Sequence, residues 1–205
     1  MGLYGDLVFP WLLDHLEGPE LRRLRAETVA GASGEMLEIG FGTGGNLPFY
    51  GPGVTSVTAV EPASGMNRRA RRRIASATTP VKLMPGAGEE LPFPEASFDC
   101  VVMTITLCTV DDPARVLAGA RRVLRPGGRY LFFEHVAAPE PRPRAWQERL
   151  NGVSRILGCG CNLNRDTESA IRSAGFGFER LDRFRSPAMP VPALYPLIAG
   201  VALKA

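Results

Sequence analysis

The stretch LEIGFGTGG, residues 37–45, decides the fold, because it joins an apolar run to four closely spaced glycines. Such a stretch is typical of a strand that turns sharply into a helix, since glycine allows backbone angles and close approaches that a Cβ blocks. The spacing of Gly40, Gly42 and Gly45 also satisfies the G-x-G-x-x-G pattern of dinucleotide-binding loops. The loop alone therefore predicts a nucleotide-like ligand without saying which one.

Outward from this loop, short apolar runs alternate with helical patterns. The runs that predict strands are Met36–Ile39, Ser56–Val60, Val81–Met84, Phe98–Met103, Arg129–Glu134, Phe178–Phe184 and Leu197–Lys204. The patterns that predict helices cover the first thirty residues, with a break near Gly18-Pro19, and then Met66–Ala77, Pro113–Leu124 and Asp166–Ala174. Residues 136–165 are interpreted as less regular. The alternation predicts an α/β fold with a mostly parallel sheet, helices on both faces, and a ligand site beyond the carboxyl ends of the strands.

Two glutamates beside the glycine loop indicate which ligand it holds. Glu38 precedes the first glycine by two positions, where a carboxylate would repel a pyrophosphate but suits the ammonium and sulfonium of S-adenosylmethionine. Glu61 ends the second predicted strand, at the spacing where an acid accepts hydrogen bonds from ribose hydroxyls. These residues favour S-adenosylmethionine and leave a nicotinamide-dependent oxidoreductase as the weaker alternative.

Four segments carry a family resemblance, in the family's order and spacing. The segments are LEIGFGTGG (37–45), VEPASGM (60–66), GEELPFPEASFD (88–99) and RRVLRPGGRYLFFEH (121–135). Together they resemble the class I S-adenosylmethionine-dependent methyltransferases, which implies a Rossmann-like fold with a seven-stranded, mostly parallel sheet. The cofactor site that the resemblance implies consists of Glu38, Gly40, Gly42, Gly44, Glu61, Pro62, Met66, Gly88, Glu89 and Thr104.

By the same resemblance, Glu38 and the glycines cradle the methionine end of the cofactor, and Glu61 binds the ribose. Gly88 and Glu89 would lie at the adenine edge with Met66 nearby, and Thr104 near the methyl donor. Ala87 departs from the pattern, because many relatives carry an aspartate there. Backbone groups would then have to contact the adenine amino group. S-adenosylhomocysteine is the implied product.

A narrower resemblance concerns the methyl acceptor. The segments TITLCTV (104–110), EHVA (134–137) and GCNLNR (160–165) resemble the thiol S-methyltransferases, which implies methylation of a small thiol or of sulfide. Phospholipid N-methyltransferases are more loosely similar and remain an alternative, as does a cofactor-binding module without transferase activity. We expect a small apolar or thiol-bearing acceptor and leave the oligomeric state open.

His135 and Cys108 are the candidate catalytic residues. His135 stands just beyond the fifth predicted strand, where a neutral imidazole could take a thiol proton or orient the acceptor. Cys108 and Cys161 could line the acceptor pocket, and Asn162 and Arg165 could orient the substrate or cap the following helix. A purely structural role for each of these residues remains the alternative.

The bulk properties exclude several classes of protein. A chain of 205 residues suits one domain, with a helical lid (1–30), a cofactor-binding core (34–135) and an acceptor-side segment with the closing strands (136–205). The net charge of +3 predicts no nucleic-acid partner, and the arginine run at 68–73 is expected to be a solvated helix face. Four cysteines and two histidines show no zinc-binding spacing, so we expect no metal and reduced thiols in a cytoplasmic protein.

The apolar stripe at residues 3–16 has two interpretations. It could form a lid over the acceptor, closed from another side by the proline-rich loop at 187–196. Alternatively it could rest in a bilayer interface and give the protein a peripheral membrane contact. The lid is the favoured interpretation.

Overall fold

The computed structural model describes residues 2–186, 192–194 and 196–204. Most of the proline-rich loop expected at 187–196 lies outside these described residues. Within them, seven strands form one sheet. The strands are β1 (Gly34–Ile39), β2 (Val54–Val60), β3 (Val81–Met84), β4 (Phe98–Thr104), β5 (Leu124–His135), β6 (Phe176–Arg185) and β7 (Pro196–Lys204).

Six α-helices accompany the sheet in the described part of the chain. They are α1 (Phe9–Leu16), α2 (Pro19–Val29), α3 (Ser64–Ile74), α4 (Pro113–Val123), α5 (Pro141–Leu157) and α6 (Thr167–Ser173). A π-helical turn, Tyr4–Val8, leads into α1, and short 3₁₀ turns occupy Leu47–Phe49 and Pro192–Leu194. No helix within the described ranges combines the length and the apolar character needed to cross a bilayer.

The strand order places the expected ligand site at the carboxyl ends of the central strands. The order is β3-β2-β1-β4-β5-β7-β6, and β7 runs antiparallel to both of its neighbours while the other pairs are parallel. The chain passes from β1 outward to β3 and then returns to β4 on the other side of β1, so the order reverses between β1 and β4. Ligands of open α/β sheets bind at such a reversal, beyond the carboxyl ends of the strands. The predicted seven-stranded, mostly parallel sheet is confirmed.

Helices cover both faces of the sheet, as predicted. Successive residues of a strand point to opposite faces, and β4 shows this directly. Val101 packs in one buried cluster with Leu117 of α4, whereas Val102 packs in the other with Ala70 of α3. Burial of each such side chain contributes about 1.5–3 kcal/mol. The sheet therefore forms the middle layer and holds the strand ends rigidly.

The interpretation of residues 136–165 as less regular is wrong, because α5 spans seventeen of them. Two features make this helix difficult to predict from the sequence. Pro141 stands at its first position, where proline is tolerated because the first N–H of a helix has no partner. Its large apolar side chains, among them Trp146 and Ile156, are exposed and so show no core-facing pattern.

The break predicted near Gly18-Pro19 separates α1 from α2, and Pro19 occupies the first turn of α2. Buried Leu24 of α2 packs with Phe133 of β5 and Leu197 of β7. The N-terminal helices are therefore attached to the same sheet.

Two glycines with the same backbone angle test what the β1 turn requires. Gly40 and Gly127 both have a φ of 73°, so alanine costs each about 1–2 kcal/mol in backbone strain. A Cβ at Gly40 would lie 2.4 Å from the Thr106 side chain, whereas one at Gly127 would meet nothing within 4 Å. We expect Gly40→Ala to lose about 1–3 kcal/mol more of the free energy of unfolding than Gly127→Ala, measured by urea denaturation. Equal losses would contradict the close contact at Gly40.

Candidate active site

The glycine loop turns sharply out of β1 and leaves one side open. Gly40, Gly42 and Gly44 have positive φ angles of 73°, 57° and 84°, which residues with a Cβ rarely adopt. The amides of Gly40 and Phe41 both donate to the carbonyl oxygen of Val60 at the end of β2, at 2.9 and 3.2 Å. A Cβ on Gly42 would meet nothing within 4 Å. The loop is thus held by β2 on one side and is open at Gly42 on the other, where a ligand could approach the backbone.

Glu61 follows β2 and faces this loop. Its two carboxylate oxygens accept hydrogen bonds from the amides of Gly42 (2.8 Å) and Ala63 (2.9 Å). Burial raises the pKa of Glu61, and the two amide bonds oppose that rise. Each oxygen keeps a second lone pair that can accept a hydrogen bond from a hydroxyl.

Glu38 is buried inside β1 beneath the loop. Its carboxylate accepts hydrogen bonds from the Asn46 side chain (2.7 Å) and the Tyr50 hydroxyl (2.5 Å). Burial raises its pKa to about 7, although these two bonds and the charge of Arg25 lower it. A cation nearby would favour the ionised form of such an acid.

Arg25 of α2 connects the N-terminal helices to the ends of the strands. Its guanidinium donates to Glu17 (2.5 Å), to the Asn46 side-chain oxygen (3.0 Å) and to the Thr104 hydroxyl at the end of β4 (2.9 Å). Thr104 is among the residues predicted from the sequence, whereas Arg25 and Asn46 are not. Arginine and asparagine at these positions belong to no local motif, and only the fold brings them to Thr104.

The helix α1 lies against the glycine loop and α3. Asp14 accepts hydrogen bonds from the Thr43 hydroxyl (2.7 Å) and from Arg69 (2.9 Å) and Arg73 (3.0 Å) of α3. Two members of the arginine run are therefore engaged by α1, whereas Arg71 and Arg72 are exposed. The expectation of a solvated face holds for only part of the run.

The other residues of the predicted cofactor set are spread along the same edge. Met66 is buried and Pro62 is exposed. A Cβ on Gly88 would lie 2.7 Å from a methyl group of β1, so this position requires glycine. The Glu89 carboxylate accepts a hydrogen bond from the amide of Asp111 (2.9 Å) before α4. Its side chain is thus engaged with the turn that starts α4.

Beyond β4 the backbone is strained. Ile105 has a φ of 55°, although its amide still donates to the Phe133 carbonyl oxygen at 2.7 Å. The carboxylate of Glu134 accepts the next two amides, those of Thr106 (2.9 Å) and Leu107 (3.0 Å). Burial raises the pKa of Glu134 to about 7 against these amide bonds, which lower it. Strain of this kind in a β-branched residue persists only where the surroundings enforce it, and it concentrates at functional sites.

His135, Cys108 and Cys161 come together at the carboxyl end of β5. The His135 Nε2 atom lies 3.1 Å from the Cys161 sulfur, and the three potential ligand atoms all lie within 4.8 Å of one another. Cys108 and His135 are fully buried and Cys161 is partly exposed. The predicted pair thus lies together with Cys161, which was considered only as a pocket-lining residue.

The pKa values of the two thiols of this cluster are shifted in opposite directions. The Cys108 thiol donates to the Ile105 carbonyl oxygen at 3.6 Å. The neighbouring Cys108 and His135 side chains lower the pKa of Cys161, whereas the neighbouring Cys161, together with burial, raises the pKa of Cys108. Two buried polar atoms beside the cluster, His135 Nδ1 and Glu134 Oε2, have no hydrogen-bond partner among the described residues.

Comparison with known proteins gives this geometry a context. A family model described as a methyltransferase domain matches residues 37–132. Human thiol S-methyltransferase TMT1B is 33% identical over 96% of this chain and 86% of its own length. Human thiol S-methyltransferase TMT1A is 36% identical over 87% of this chain and 75% of its own length. A phosphatidylethanolamine N-methyltransferase of Cereibacter sphaeroides is 34% identical over 67% of this chain and 68% of its own length.

Solved structures share the fold. An S-adenosylmethionine-dependent methyltransferase of Thermotoga maritima, described as a possible histamine N-methyltransferase, superposes with a TM-score of 0.68 at 24% identity. That alignment covers 95% of this chain and 93% of the other. A geranyl diphosphate methyltransferase in complex with S-adenosylmethionine superposes with a TM-score of 0.72 at 14% identity, over 91% and 85% of the two chains.

The buried carboxyl of Glu38 gives a pH test. Because folding raises its pKa from 4.5 to about 7, its contribution to stability is fully present below pH 4.5 and is lost as the pH rises through 7. Glu38→Gln removes this dependence. From pH 4.5 to 8 we expect the wild type to lose about 3 kcal/mol relative to Glu38→Gln in denaturant unfolding. A constant difference across that range would show that Glu38 is ionised in the folded protein throughout.

Proposed function

The chain belongs to the S-adenosylmethionine-dependent methyltransferases, and we propose that it methylates the sulfur of a small thiol or of sulfide. The observation that carries the proposal is the cluster of Cys108, His135 and Cys161 beyond the ends of β4 and β5. The names of the human relatives, both thiol S-methyltransferases, support the same acceptor class.

The residues of the glycine loop fit the cofactor. Bound S-adenosylmethionine supplies a methyl group carried on a positively charged sulfur. The open side of Gly42 would admit the methionine end, and the free lone pairs of Glu61 would accept the ribose hydroxyls. Glu38 would hold its negative charge beneath the ammonium, since a nearby cation stabilises an ionised carboxylate. The methyl group is already activated, so the chain needs only to bind and orient the cofactor.

The acceptor end of the site suits a thiol. A free thiol has a pKa of about 8.5, so a few per cent is ionised at neutral pH and a strong base is not required. What the site must supply is alignment and exclusion of water, and alignment alone can contribute about 7–11 kcal/mol to a barrier. The buried Cys108 and His135 would keep water from the acceptor sulfur, and the partly exposed Cys161 would give access to it.

We assign the N-terminal segment the role of a lid. Asp14 accepts a hydrogen bond from Thr43 of the glycine loop at 2.7 Å, and Arg25 donates to Thr104 at 2.9 Å. These contacts lie at the strand reversal where the cofactor is expected. Closure there would exclude water from the reaction.

A second candidate, phospholipid N-methylation, has one structural observation in its favour. The described residues include twelve exposed large hydrophobic side chains, and all of them lie on residues 3–16 or on α5. They are Leu3, Tyr4, Leu7, Val8, Trp11, Leu13, Leu16, Trp146, Leu150, Val153, Ile156 and Leu157. The Tyr4 hydroxyl donates to the Leu157 carbonyl oxygen at 2.7 Å, which brings the start of the N-terminal segment to the end of α5. Patches of this kind mark partner or membrane contacts.

Product detection separates the two candidates. The purified chain and S-adenosylmethionine are incubated with sulfide, methanethiol, a longer alkyl thiol, or vesicles of phosphatidylethanolamine with anionic lipid. We expect methylated thiols well above the blank and no methylated lipid, whether or not the vesicles sediment with the protein. Methylated lipid without methylated thiol would replace the leading proposal with the second one.

A matched pair of arginines on α2 tests the lid. Arg25→Met removes the bonds to Glu17, Asn46 and Thr104, whereas Arg23→Met removes only an exposed ion pair with Glu27 at 3.7 Å, which is worth little. We expect the first variant to bind S-adenosylhomocysteine about tenfold more weakly by calorimetry, or about 1.4 kcal/mol. The second should bind like the wild type. Equal affinities for both variants would refute the lid.

A further inference from the structure

The cluster of Cys108, His135 and Cys161 has the composition and geometry of a metal centre, and we infer that it binds a zinc ion. Two thiolates and one imidazole form a ligand set that zinc uses in catalytic sites. In a tetrahedral site with zinc–sulfur bonds near 2.3 Å and zinc–nitrogen bonds near 2.0 Å, ligand atoms are about 3.5–3.8 Å apart. The three atoms here lie within 4.8 Å of one another, with 3.1 Å between His135 Nε2 and Cys161 Sγ. Changes of about 0.4 to 1 Å in these separations would give the geometry of such a site.

The surrounding structure holds the two cysteine loops together without a disulfide. Both thiols are free. Asn162 donates to the Cys108 carbonyl oxygen through its amide (2.8 Å) and its side chain (3.1 Å). Arg165 donates to the carbonyl oxygens of Leu107 and Val110. These hydrogen bonds fix the Cys108 and Cys161 segments relative to one another.

The Cys161 loop has a backbone that serves to present this thiol. Cys159 and Gly160 have positive φ angles of 48° and 103°. A Cβ on Gly160 would lie 3.1 Å from the Thr109 carbonyl oxygen, so the loop is pressed against the segment that carries Cys108. Strain at a non-glycine residue such as Cys159 persists where the surroundings enforce it.

A second observation is independent of the ligand distances. The buried atoms His135 Nδ1 and Glu134 Oε2 have no hydrogen-bond partner within the part of the chain that the structure describes. Most buried polar atoms are paired, and an unpaired one calls for a water, an ion or a ligand. Nδ1 is the ring nitrogen that would not bind the zinc, so these two atoms mark an unsatisfied polar environment beside the cluster rather than a ligand position.

The fourth position of the proposed zinc is open. Only three ligand atoms converge among the described residues, and Cys161 leaves the cluster accessible from one side. Three protein ligands and one open position distinguish catalytic from structural zinc. If the proposed function is right, the acceptor thiol takes this position: its sulfur–hydrogen bond breaks, its sulfur bonds to zinc, and the proton passes to solvent. Zinc would then hold the acceptor as a thiolate.

The expectation of no metal rested on spacing along the sequence. Positions 108, 135 and 161 stand in three separate segments, after β4, at the end of β5 and after α5. No recognised zinc pattern joins positions so far apart. The fold, rather than a local motif, assembles this ligand set.

Metal content tests the inference without any measurement of activity. The full chain is purified under reducing conditions, equilibrated with zinc and dialysed, and its zinc is measured by plasma mass spectrometry. We expect about one zinc per chain. Cys108→Ser, Cys161→Ser and His135→Asn should each lose it, whereas Cys100→Ser, in the middle of β4, should retain it. Circular dichroism and cofactor binding verify that each variant is folded.

Cys159→Ser decides whether the fourth position is open. We expect it to retain zinc, because Cys159 is not part of the cluster. Loss of zinc from this variant would indicate a closed four-ligand site and would overturn the open position. A wild-type chain that neither carries nor takes up zinc overturns the metal site itself.

Cobalt provides a signal for the acceptor. Cobalt bound by two thiolates in a tetrahedral site absorbs in the visible range, and we expect methanethiol to change this spectrum in the loaded wild-type chain. An unchanged spectrum would overturn thiol ligation. Zinc binding without thiol methylation would refute the proposed function and leave the metal site supported. Thiol methylation by a chain that takes up no metal would refute the metal site and leave the proposed function supported.

Discussion

The contact of Thr106 with Gly40 holds together the ends of three strands. The Thr106 side chain fills the space that a Cβ on Gly40 would need, and its hydroxyl donates to the carbonyl oxygen of Ile39 in β1 at 3.2 Å. Its amide donates to Glu134 of β5. The glycine loop lies on one side of this residue, and Cys108 follows two positions later. The glycine loop and the segment that carries Cys108 are therefore fixed by the same few contacts.

Buried carboxylates line the carboxyl edge of the sheet at considerable cost. Glu38, Glu61 and Glu134 stand in β1, just after β2 and in β5, and burial raises the pKa of each. Backbone amides or side chains satisfy one or both oxygens in every case. Residues that lower stability and recur at one edge indicate a functional requirement, since folding alone would favour apolar side chains there. A cationic ligand supplies such a requirement.

The sequence predicts features that depend on local patterns. The proximity of Gly42 and Glu61 is predictable because a strand followed by glycines, and an acid at the end of the next strand, form a local pattern. Helix α5 was missed because its apolar residues face outward, so they show no core-facing pattern. Arg25 and Cys161 act only through partners far away in the sequence, and no periodicity reveals such pairs. The orientation of the Glu89 side chain toward the turn before α4 depends on packing in the same way.

The hydrogen bond between Tyr4 and Leu157 has a mechanical consequence. It ties the first turn of the N-terminal segment to the last residue of α5, so an outward swing of that segment must break this bond or drag the helix end with it. The positions of the N-terminal segment and of the end of α5 are therefore coupled, so a substitution that displaces one of them also loads the other.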